Sequence, residues 1–93
     1  MPQDARDVIA ALRRKGFVDR NGDHKFFVLF VGDKKTRIST KISHGEREIH
    51  DGNLGLMARQ MELTGSELRR FVECSMSGDH YATLMRERGM IDS

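Results

Sequence analysis

At 93 residues, 38% hydrophobic and 32% charged with nine glycines and one proline, the chain has the make-up of one small folded domain over 1–93. Two-domain enzymes, barrels with deep pockets of their own and repeat arrays all need more chain. Net charge is only +2, yet nine Lys/Arg against Asp19, Asp23 and Asp33 give residues 13–41 a local +6 and leave the remainder at −4, which suggests an anionic partner for the first half.

Basic side chains also keep exposed strands dissolved, so charge alone does not decide. A single cysteine, Cys74, excludes an internal disulfide and points to a reducing compartment. The longest apolar run, Phe26 to Val31, is too short for a membrane span, and the Met1 end lacks the basic-then-apolar pattern of a signal segment. A cytoplasmic protein is expected.

The first predicted element is a helix over about Asp4–Lys15. Asp4 can cap it, Val8, Ile9 and Leu12 recur at helical spacing, and Arg13, Arg14 and Lys15 suit its negative end before Gly16 stops it. A short strand over Phe17–Arg20 then meets Asn21-Gly22, a strong hairpin signal because both residues tolerate positive φ. The returning strand runs over His24–Val31, and Gly32-Asp33-Lys34-Lys35 turns into a third strand over Thr36–Ser43. In that strand Ile38, Thr40 and Ile42 face one way and Arg37, Ser39, Lys41 and Ser43 the other, the pattern of one buried and one basic face. After a linker, 43–52, a helix over Asn53–Leu63 is marked by Leu54, Met57, Ala58 and Met61, with Asn53 as its cap. Ser66 is the expected cap of a further helix bearing Leu68, Phe71 and Val72. Ser77-Gly78-Asp79 precedes a last helix bearing Tyr81, Leu84 and Met85 and ending near Gly89. The fold class is α+β: α-β-β-β-α with a three-stranded antiparallel sheet and one or two extra C-terminal helices.

The central strand is unusual. His24, Phe26, Val28 and Phe30 share one face, and Lys25, Phe27, Leu29 and Val31 share the other, so both faces are largely apolar. The second face calls for a cover: the C-terminal helices, a second copy of the chain in a homo-oligomer, or a different protein.

Few residues suggest chemistry. The sequence lacks a Cys pair, a His-x-x-x-His pair and an acidic cluster, so no metal is expected, and no phosphate-binding glycine loop or nucleophile elbow is present. No cofactor is expected. Cys74 sits near Phe71 and Val72 as a small core or boundary residue. His24 stands out, following the Asn21-Gly22 turn beside Lys25 and close to Arg20. An imidazole that titrates near neutrality can move a proton while adjacent cations hold a phosphate. With the 2′-hydroxyl of RNA as nucleophile, that is sufficient in principle for cleavage without metal. His44-Gly45, near Lys41 and Arg47, is a second phosphate-contact candidate or simply a turn.

The run Gly22-Asp23-His24-Lys25-Phe26-Phe27 resembles the Gly-Ser/Thr-His-apolar signature of the HicA (YcfA-like) toxins. Leu12, Gly16-Phe17, the basic third strand, His44-Gly45, Gly52-Asn53-Leu54 and Gln60 follow in the family's order, so the resemblance covers about residues 5–63. Asp23 stands where the family has a small hydroxyl residue, Ser43 where it often has proline, and residues 64–93 form a helical extension past its usual end. The resemblance implies a double-stranded-RNA-binding-domain-like fold and an mRNA interferase, a ribosome-independent endoribonuclease. His24 would be its catalytic residue and a HicB-like antitoxin its inhibitor. On this reading Arg20, Lys25, Lys34, Lys35, Arg37, Lys41 and His44 contact RNA. Two other readings stay open: a non-catalytic RNA-binding module on the same fold, and an interaction domain whose basic face only solubilises it.

Overall fold

The computed structural model describes residues 3–19, 26–42, 47–73 and 75–91. It is an α+β protein in which a three-stranded antiparallel sheet carries four helices. The order is β1 (Gln3–Asp4), α1 (Ala5–Arg14), β2 (Phe17–Asp19), β3 (Phe26–Val31), β4 (Lys34–Lys41), β5 (Glu48–Ile49), α2 (Asp51–Gln60), α3 (Gly65–Val72) and α4 (Gly78–Glu87). No described helix is long and apolar enough to cross a membrane.

Local chemistry sets most boundaries. The Asp4 carboxylate accepts from the Arg6 N–H at 2.8 Å and starts α1 as expected. Gly16, at φ +106°, ends the turn that follows it. A Cβ there would meet the Phe30 carbonyl oxygen at 3.1 Å and a Leu29 methyl at 3.2 Å, so glycine permits both the backbone conformation and the close approach of α1's end to β3. Thr64, not Ser66, caps α3: its hydroxyl accepts from the Glu67 N–H, and the Glu67 carboxylate accepts from the Thr64 N–H, a reciprocal capping box. Ser77 caps α4 through the His80 N–H. His50 occupies the cap of α2 and contributes no side-chain hydrogen bond, so that helix starts two residues before Asn53, the expected cap.

The sheet is the predicted meander, ordered β2-β3-β4. Its second hairpin is tighter than expected, because Lys34 and Lys35 belong to the strand and Gly32-Asp33 alone make the turn, with Gly32 at φ +62°. A register irregularity lies between Val28 and Phe30. The linker over 43–52 contains a strand that alternation had no length to reveal: Gln3 and Asp4 pair with Ile49 and Glu48.

All four helices contribute side chains to one core with Phe17, Phe27, Leu29, Ile38 and Ile42 from a single face of the sheet. Thr40, on the same face and 1% exposed, keeps its hydroxyl satisfied by donating to the Gln60 side-chain oxygen at 2.8 Å. The rings of Phe17, Phe71 and Tyr81 form a cluster with centroids 5.2 to 6.1 Å apart. Tyr81 donates its hydroxyl to the Met61 carbonyl at 2.8 Å, and burial pushes its ionisation well above the usual tyrosine range. The C-terminal helices, one of the expected covers, therefore pack on the Phe27–Leu29 face together with α1 and α2, and not on the face of Phe26 and Phe30.

Candidate nucleic-acid interface

Strand alternation sorts the outer face of the sheet. Val18, Phe26, Val28 and Phe30 share it with Lys35, Arg37, Ser39 and Lys41, since the register sets Phe26 against Lys41, Val28 against Ser39 and Val18, and Phe30 against Lys35. Lys35, Arg37 and Lys41 are exposed, Phe26 and Phe30 half-buried, Val28 buried and Val18 46% exposed. No acidic residue occupies a described strand position on this face.

The predicted phosphate contacts separate along the strand. Lys41 lies opposite the first described residue of β3, where the chain arrives from 20–25. Lys34, Lys35 and Arg37 lie toward the Gly32-Asp33 turn, roughly 13–23 Å from Lys41 along an extended strand. They cannot all serve one phosphate. At that end they line a cleft of about 500 Å³ against the segment that follows α4, together with Arg86, a cation to which no motif points. Arg37 donates to the Gly89 carbonyl at 3.4 Å. Among the described residues Lys34, Lys35, Lys41 and Arg86 have no ion-pair partner.

Other cations of the basic half are spent internally. Arg13 pairs with Asp19 at 2.7 Å, and this contact raises the guanidinium's already high pKa. Lys15 is 9% exposed, donates its ammonium to the Phe71 carbonyl and stands 4.8 Å from the centre of the Phe71 ring. The +6 of residues 13–41 thus overstates the charge that a ligand meets.

Arg20, His24, Lys25 and His44 lie outside the described residues, as do Cys74 and the Asn21-Gly22 turn. Gln60, one of the residues that carry the HicA resemblance, closes α2 and holds Thr40. No group of three or more His, Cys, Asp or Glu comes together among the described residues. Compared with known proteins, the chain matches no family model, no curated protein and no solved structure.

Proposed function

We propose that this protein binds RNA along β4 and cleaves it as a toxin-type endoribonuclease without metal, His24 moving the proton. The observation that supports RNA as the ligand is the line of Lys35, Arg37 and Lys41 on one sheet face with no acidic side chain at its described positions. Spread along a strand, these cations suit successive phosphates of a polyanion better than one small anion. The α-β-β-β-α order of α1, β2, β3, β4 and α2 is compatible with a double-stranded-RNA-binding-domain-like fold and favours the HicA resemblance.

Cleavage rests on the sequence. In the proposed step the 2′-oxygen attacks the adjacent phosphorus, the bond to the 5′-oxygen breaks, and the products end in a 2′,3′-cyclic phosphate and a 5′-hydroxyl. The proton leaves the 2′-hydroxyl and another reaches the departing 5′-oxygen, His24 serving one of these transfers. Lys41 pairs with Phe26, two residues along the chain from His24, and is the described cation proposed to act with it, while Arg37 holds RNA further along. A HicB-like antitoxin is the proposed inhibitor, and the exposed Val18 beside Phe26 and Phe30 gives such a partner apolar surface to cover. The lone cysteine suits the reducing cytoplasm.

The non-catalytic reading draws on one observation of its own: most described cations sit far from the start of β3, where binding needs no titrating group. An RNA degradation assay with EDTA present separates the two. Wild type is expected to cleave and His24→Ala to bind without cleaving. Equal cleavage by both rejects the histidine's role. Salt-sensitive binding with no turnover in either supports the RNA-binding module, and no binding at low salt rejects RNA altogether.

A further inference from the structure

The cleft beside the Gly32-Asp33 turn is built differently from the rest of the cationic face. Where α4 ends, Gly89 takes φ +71° and its N–H donates to the Arg86 carbonyl at 3.1 Å, while the Met90 N–H donates to the Met85 carbonyl at 2.8 Å. This pair of bonds is the Schellman arrangement that reverses a chain after a helix. It leaves Met90 and Ile91 packed against the core and, with Val31, forming an apolar wall of the cleft. The lining also carries Lys34, Lys35 and Arg37 from β4 and Arg86 from α4, with no acidic residue among the described ones.

Two chemistries therefore meet in about 500 Å³. Cations from two elements converge without a counter-ion among the described residues, which favours a compact anion of more than one charge. The wall beside them is aliphatic and includes a methionine, whose polarizable sulfur packs well against flat aromatic rings. The volume falls in the range that holds a small organic ligand, well above that of a bare phosphate.

We propose that this cleft is a binding site for a nucleoside phosphate, its phosphates held by Lys34, Lys35 and Arg86 and its base laid against Val31, Met90 and Ile91. The same group reaches a protein from two sources, a free nucleotide or the phosphorylated end of an RNA strand. The site lies away from Lys41 and does not depend on cleavage by His24.

Calorimetric titration of the full chain with ADP, AMP, ribose 5-phosphate and inorganic phosphate is the primary test. A second arm measures fluorescence anisotropy with matched short oligoribonucleotides carrying a 5′-phosphate or a 5′-hydroxyl. Nucleotides should bind at least tenfold more tightly than ribose 5-phosphate or phosphate, and Arg86→Gln and Lys34→Gln should each weaken that binding about tenfold, the worth of one charge-assisted hydrogen bond. If free nucleotides bind, they are the source. If only the 5′-phosphorylated strand binds better than its hydroxyl twin, and Arg86→Gln removes the difference, the strand end is the source. Phosphate binding as tightly as AMP, no binding by any of these probes, or affinities unchanged in both variants would each overturn the site. Lys41→Gln is expected to leave nucleotide binding unchanged while weakening binding of long RNA, so loss of either ligand is read separately.

Discussion

The helical side of the molecule and the edge formed by β4 use the same cationic side chains in opposite ways. On the helical side Arg88 and Lys15 are tied down. Arg88 donates to the Glu67 carboxylate at 2.6 Å and to the Glu62 carbonyl, joining α4 to α3 and to the end of α2. Lys15 spans from the end of α1 to the Phe71 carbonyl and ring. Along β4, Lys34, Lys35 and Lys41 meet no acidic partner among the described residues. Where a charge holds elements together its removal should cost stability. Where it faces water unpaired, removal should cost only binding. Lysines on an edge strand also discourage pairing with another copy, so the same residues have a passive use to be measured against.

The largest expected effect lies on the helical side. Tyr81→Ala removes a fully buried ring from the Phe17–Phe71–Tyr81 cluster and should destabilise the fold by about 3–5 kcal/mol in denaturant titration. Lys15→Met keeps the aliphatic stem but strips the Phe71 carbonyl of its donor and the ring of its cation, with an expected loss of about 1–3 kcal/mol. By contrast, Lys35→Gln and Lys41→Gln should leave stability within about 0.5 kcal/mol. Each should instead make the log–log salt dependence of single-stranded RNA binding shallower by about 0.7, and RNA binding that ignores both would break the contrast. If the double variant also self-associates in sedimentation, the passive use of these lysines is real as well.

Acid should separate the two regions too. The Arg88 guanidinium, followed by the Thr64 N–H, holds the Glu67 carboxyl down at about 2, below its unfolded value near ~4.3. A depressed folded pKa adds stability that is complete above the unfolded value and is lost as pH falls through the folded one. Wild type should therefore weaken between about pH 4 and pH 2 more steeply than Glu67→Gln, as followed by thermal unfolding. One change should be a gain: Glu62 holds φ +61°, and Glu62→Gly should stabilise by about 1 kcal/mol, because its main-chain bonds remain while the left-handed strain disappears.

What could be read in advance follows from how local each signal is. Asp4 and Gly16 announce the ends of α1, and the alternation of Ile38, Thr40 and Ile42 announces the buried side of β4, because each is fixed by residues a few positions apart. Two good cappers, Thr64 and Ser66, stand at the start of α3. The spacing from Thr64 to Glu67, which Ser66 cannot match with Arg69, was the signal that separates them. The β1–β5 ladder is two residues long, too short to alternate, and exists only because distant backbone groups need partners. Site legibility was poorer still. Lys41 and Arg37 share a face by strand parity, which sequence shows. Lys15 left solvent and Arg86 entered the cleft through contacts between elements more than fifty residues apart, which it does not show.

The packing of α4 has a consequence for how the protein comes into being. Its first residue, Gly78, lies so near α1 that an added Cβ would come within 3.3 Å of the Lys15 Cα, and Tyr81 and Met85 complete the same core that Leu12 and Phe17 begin. A ribosome making this polypeptide thus releases the opening helix and hairpin with their oily side uncovered. They wait several seconds, at about 5–20 residues per second, for the partners that shield them.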